Sequence, residues 1–171
     1  MYYQIAAKWY ALQPDAKSSF HLAQASLQQR KSADAMKYFA IAAEAETNPL
    51  KKAEIYYAMA VREINNSPKA IELLHQSLKA KPEFGKAYLL LAEVYASSDC
   101  GATAFEKKAR YALAAQTALK AGKIEAGLKK TAESQAANYR KKAPSSAEIK
   151  DAKMAGKTVT FGCGINESVT L

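Results

Sequence analysis

Apolar and small residues recur along this chain in a long frame. Leu22-Ala23, Tyr57-Ala58 and Leu91-Ala92 lie 35 and 34 residues apart, and Ala35, Ala70 and Ala104 keep the same two intervals. Pro14, Pro49 and Pro82 are 35 and 33 apart. Within each unit the spacing is helical. In Lys86–Tyr95, bulky Tyr88 is followed by Leu91, small Ala92 and aromatic Tyr95, so a second helix can approach closely at the small position. Ala35, Phe39 and Ala42 share one face of the partner helix. The pattern predicts helices over 2–12, 17–29, 33–46, 51–64, about 68–80, 86–95, 103–121 and 124–142. Breaks fall at Pro14, Pro49, the Asn65–Pro68 turn and Gly122. Lys108 stands where an apolar residue is wanted, and Ala96–Gly101 reads as an insert.

A helix pair repeated near every 34 residues resembles the tetratricopeptide (TPR) repeat. The resemblance implies an all-α, right-handed α-solenoid of helix pairs. Residues 1–14 then read as the second helix of a truncated repeat, 15–49 and 50–84 as TPR units, and 85–122 as a degenerate unit. Residues 123–143 read as a capping helix, which covers the last apolar face. Residues 144–171 form a short helix and a β-like tail: Thr158–Phe161 alternates as a strand does, with a return strand in Cys163–Leu171.

The formal charge of +9 is concentrated: residues 105–157 hold 13 Lys/Arg against 5 Asp/Glu. That field could draw an anionic polymer or membrane surface through Lys107, Lys108, Arg110, Lys129, Lys130, Arg140, Lys141 and Lys142. No groove-reading module accompanies it, so nucleic acid is not the expected partner. Cys100 and Cys163 lack metal-type spacing and are either two free thiols or one disulfide. No run of 18 or more apolar residues predicts a spanning helix. The start, MYYQIAAKWYALQP, lacks the features of a signal peptide. Because it reads as half a repeat, the chain is expected to be the carboxy-terminal piece of a longer protein, with any export signal upstream.

A second resemblance reaches further. Tyr88–Ala92, Asp99-Cys100-Gly101, Tyr111–Ala115, Tyr139, Pro144, Gly156 and Gly162–Val169 are similar to a bacterial family of exported TPR proteins that end in a Gly-Cys-Trp-Ile-x-Glu segment. Gly164 stands where that family often has Trp. The resemblance covers roughly residues 50–171. It implies a cell-envelope or periplasmic protein with a binding or scaffolding role and no cofactor.

In TPR proteins the first helices line a concave face. The corresponding positions here are Lys17, Phe20, His21, Gln24 and Leu27; Lys52, Ile55, Tyr56, Met59 and Arg62; and Lys86, Leu89, Leu90 and Glu93. Lys17, Lys52 and Lys86 form a ladder suited to an acidic peptide or a terminal carboxylate. Phe20, Ile55, Tyr56, Met59, Leu89 and Leu90 form an apolar floor for a partner helix or peptide, unless the chain's own tail fills the groove. The clamp that some TPR domains use for chaperone termini needs Asn where Gln24, Met59 and Glu93 stand. His21 and His75, the only histidines, have no ligand or nucleophile at useful spacing, and no catalytic or metal motif is present. A non-enzymatic scaffold for a protein or peptide partner is the expected function. The alternatives are polyanion binding by 105–157 and a purely architectural module.

Overall fold

The computed structural model describes residues 1–171. Nine helices carry most of the chain. They are α1 Tyr2–Leu12, α2 Ala16–Gln28, α3 Ser32–Ala45, α4 Pro49–Arg62, α5 Ser67–Ala80, α6 Gly85–Ser97, α7 Ala104–Ile124, α8 Lys129–Arg140 and α9 Ser146–Asp151. A 3-10 turn, Ala126–Leu128, precedes α8. The tail ends in β1 Thr158–Thr160 and β2 Ser168–Thr170. Packing is heaviest within the pairs α2/α3, α4/α5 and α6/α7, and between α7 and α8. This is an all-α solenoid with a short two-stranded sheet. No helix is long and apolar enough to cross a membrane.

Local chemistry sets the helix starts. Asp15 accepts the Ser18 backbone N–H at 2.7 Å, and the Ser18 hydroxyl accepts from the Asp15 N–H at 3.0 Å. Thr103 with Glu106 and Ser145 with Glu148 repeat the arrangement at α7 and α9. Pro49, read from sequence as a terminator, instead opens α4 at its first position, where a missing N–H costs nothing. Asn48 caps that end through Lys51 N at 3.1 Å. The helix therefore begins two residues earlier than expected.

Alanine and serine let the pairs close. Ala23, Ala35, Ala42, Ala53, Ala60, Ala70 and Ala92 are fully buried, and Leu74, Leu91 and Tyr95 fill the volume between them. Ser77, buried on α5, donates to the Ala53 carbonyl of α4 at 2.8 Å, so a polar group inside the pair is satisfied. Two repeat markers do not keep their expected roles. Ala58 is half-buried, and Ala104 is exposed as the first residue of α7. Burial at Ala70, Leu73, Leu74 and Ser77 recurs at Arg110, Leu113, Ala114 and Thr117, an interval of 40. The insert around Cys100 accounts for the shift.

Gly122 does not interrupt α7, which runs on to Ile124. Its role is close approach: a Cβ there would stand 3.0 Å from Lys129 Cα and 3.1 Å from the Ala132 methyl. Ala132 and Ala136 of α8 complete this seam. At the other end, Ala6 of α1 packs with Leu22 and Ala25 of α2, flanked by Tyr3, Tyr10 and Tyr38. Trp9 lies outside that cluster and instead sits beside His21, with ring centroids 5.2 Å apart.

The tail packs on the second helices. β1 and β2 are antiparallel, with Val159 paired to Val169, and both valines are buried. The flanking Thr158–Thr170 and Thr160–Ser168 pairs face outward and hydrogen-bond through their hydroxyls. Phe161 and Ile165 join the main core. Gln116 of α7 reaches the Thr170 carbonyl at 3.5 Å. Cys100 and Cys163 are disulfide-bonded, which ties the tail to the loop after α6. Gly164 has φ +84°, and a Cβ there would lie 2.9 Å from the Pro68 ring. A tryptophan at that position is incompatible with this path.

Candidate functional site

A cleft of about 340 Å³ opens between the first helices α2 and α4. Ala16, Phe20, Ile55 and Ala58 give it an apolar floor, and Lys17, Lys51, Glu46 and Glu54 give it a charged rim. Helical spacing positions these groups. Ala16, Lys17 and Phe20 lie on the first turn and a half of α2, which Asp15 caps, and the i, i+3, i+4, i+7 spacing puts Lys51, Glu54, Ile55 and Ala58 on one side of α4. Phe20 is held edge-to-face against Phe39 of α3, with centroids 5.5 Å apart, which fixes the floor. Lys17 carries its ammonium 5.6 Å from the Trp9 ring centroid.

The sequence-expected residues divide into three groups. Lys17, Phe20 and Ile55 line this cleft. Met59 and Leu90 are buried in the core, at 6% and 7% exposure, and Ile55 shows only an edge at 4%. They hold the pairs together and offer a partner little surface. Gln24, Tyr56 and Leu89 are half-buried, and Arg62, Lys86 and Glu93 are exposed. Burial raises the pKa of Tyr57 and Tyr139, and the nearby Glu93 carboxylate adds to it, so both phenols stay protonated more firmly.

The expected lysine ladder is not the observed one. Lys52 is half-buried and its Nζ lies 3.5 Å from the Glu46 carbonyl, back toward the α3–α4 turn. Lys51 takes the place on the cleft rim beside Lys17, because the side of α4 that meets the cleft carries positions 51, 54, 55 and 58, about 100° round the helix from Lys52. Glu46, Lys51, Glu54, Ala16 and Ala58 were missed.

The tail does not fill this cleft, since no tail residue lines it. Residues 164–167 lie along Pro68, Ile71 and His75 of α5, and β2 packs on α7. The α2–α4 cleft is open, and the tail lies against α5 and α7. The basic region is also partly spent within the fold. Arg110 is buried and its Nη1 donates to the carbonyls of Ser98 and Cys100, closing the C-terminal end of α6. Lys107 pairs with Asp99 at 3.2 Å, Lys108 pairs with Glu148, and Lys142 lies over the Tyr111 ring. Lys129, Lys130, Arg140 and Lys141 remain exposed on and after α8. His21 hydrogen-bonds the Tyr2 hydroxyl at 3.0 Å, and no cluster of residues suited to a metal ion is present.

No family model and no curated protein matches the chain. Among solved structures, the crystal structure of MamA is similar over 88% of each chain, with a TM-score of 0.56 and 19% sequence identity. At that identity the likeness shows the fold alone: a TPR-like helical solenoid.

Proposed function

We propose that this chain is a non-enzymatic scaffold that holds a peptide or partner protein on its first-helix face, anchored in the cleft between α2 and α4. The observation that carries the reading is the cleft itself: an apolar floor of Phe20 and Ile55 inside a rim of both charge signs, uncovered by the tail. Such a floor takes a bulky apolar side chain, worth about 1.5–3 kcal/mol when fully buried. Micromolar affinity corresponds to about 8 kcal/mol. The partner's main chain and charges must therefore also engage the rim, where Lys17 and Lys51 favour an acidic flank and Glu46 and Glu54 set its register. The Cys100–Cys163 bond supports residence in an oxidising compartment, in keeping with the cell envelope that the sequence resemblance implies.

A peptide-display selection tests this. Peptides recovered on the intact protein should share a large apolar residue, and Ala58→Arg, which fills the cleft from a half-buried position, should abolish their binding while circular dichroism stays unchanged. Peptides rich only in acidic residues, retained by Ala58→Arg and released by moderate salt, would instead assign binding to the basic surface near α8.

A further inference from the structure

A second cavity, of about 370 Å³, lies among α5, α6, α7 and the residues leading into β2. It shares no residue with the α2–α4 cleft. Its size is in the range of small-molecule sites, and its walls mix a few convergent polar groups with leucine side chains. His75 and Lys79 come from α5, Tyr95 from α6, Thr117 and Lys120 from α7, and Glu167 from the tail.

Three features of this cavity point to one ligand chemistry. First, Tyr95 is 1% exposed, yet its hydroxyl has no hydrogen-bond partner. Native folds rarely leave such a group orphaned, and the Tyr95 side chain lines this cavity. Burial, with the nearby Glu167 carboxylate adding to it, raises the pKa of this phenol, so it stays an O–H donor. Second, Lys79 and Lys120 both line the cavity and neither forms an ion pair, whereas Glu167 is its one carboxylate. The lining is therefore net positive and disfavours a cationic ligand. Third, the wall that Glu167 and Ser168 supply is fixed rather than loose. Cys163 is bonded to Cys100, Ile165 and Val169 are buried on either side, and the strand pairing begins at Ser168.

We propose that this cavity binds a small oxyanion, a carboxylate or a phosphate, which accepts the Tyr95 hydroxyl proton in a hydrogen bond and lies between Lys79 and Lys120. Leu78, Leu91 and Leu113 offer an apolar wall to the body of an organic anion. Glu167 limits the charge the site tolerates.

The test is a two-dimensional amide NMR titration of the whole, oxidised chain at low ionic strength. Sodium benzoate and sodium phosphate are the probes, with sodium chloride as the control. Saturable shifts at Tyr95, Thr117 and Ser168 are expected with at least one probe, and the probe that saturates at lower concentration separates carboxylate from phosphate. Tyr95→Phe keeps the ring and should weaken binding about tenfold or more, the usual scale for a lost hydrogen bond to a charged group. Lys120→Gln, at an exposed position, should weaken it roughly 2–5-fold, and Glu167→Gln should tighten it by a similar factor, as screened surface charges do. Shifts that chloride reproduces, shifts confined to Lys129, Lys130 and Arg140, or an affinity unmoved by both Tyr95→Phe and Lys120→Gln would overturn the proposal. Because the peptide test uses Ala58→Arg on a different face, the two can fail separately.

Discussion

Removing the Cys100–Cys163 bond is the sharpest perturbation of the fold. The bond joins residues 63 apart, and it fastens a tail whose Val159, Phe161, Ile165 and Val169 complete the main core. In the chain-entropy account, closing a loop of that length removes about 4 kcal/mol of disorder from the unfolded state at 25 °C. The double variant Cys100→Ala/Cys163→Ser should therefore lose about 4 kcal/mol in urea unfolding followed by circular dichroism. The native helical signal should be nearly unchanged, because the helix pairs do not depend on the bond. The urea dependence should steepen, since an unlinked unfolded chain exposes more surface. Hydrogen exchange should show the cost locally as well, with the Val159 and Val169 amides exchanging faster than those of α4 and α5. A loss below about 1 kcal/mol, with unchanged tail protection, would refute the reasoning. It would mean that apolar burial holds the tail without the tether.

Other consequences follow from single residues. Gly164→Ala places a Cβ 2.9 Å from Pro68 in a left-handed backbone, so it should destabilise by about 1–3 kcal/mol in the same urea assay. Leu74, fully buried on α5, should cost about 2–5 kcal/mol when cut to Ala. The Lys108 ammonium and the Ser145 N–H lower the Glu148 carboxyl from the usual 4.5 to about 2. A depressed carboxyl stabilises above its unfolded value, and that contribution is lost as pH falls from about 4.5 through 2. α9 should therefore loosen over that window, as read by the amide signals of residues 146–151, and Glu148→Gln should remove the pH dependence.

The fold was largely legible because solenoid packing is periodic. Ala23, Ala35, Ala42, Ala70 and Ala92 lie where small residues recur in the sequence, and each is fully buried. The tail strands were legible too, since Thr158–Val159–Thr160 alternates as a half-buried ribbon must. The site was legible only in part. Lys17, Phe20 and Ile55 line the cleft as well as the expected face, but the side of α4 turned toward α2 carries Lys51 and not Lys52. Neighbouring helix positions lie about 100° apart, so Lys51 and Lys52 present to different sides of the same helix. Periodicity alone could not separate a residue on the first-helix surface from one in the pair interface, which is why Met59 and Leu90 were counted as groove. Arg110 was read as surface charge because its partners are backbone carbonyls, which leave no mark in the sequence.

The most direct test of the scaffold reading is a hydrogen-exchange footprint of the intact protein with a peptide from the display selection. Protection should concentrate on residues 16–20 and 51–58, the walls of the α2–α4 cleft, and disappear in Ala58→Arg. Protection that falls instead on α5, α7 and the tail, or on α8, would contradict binding by the first-helix face.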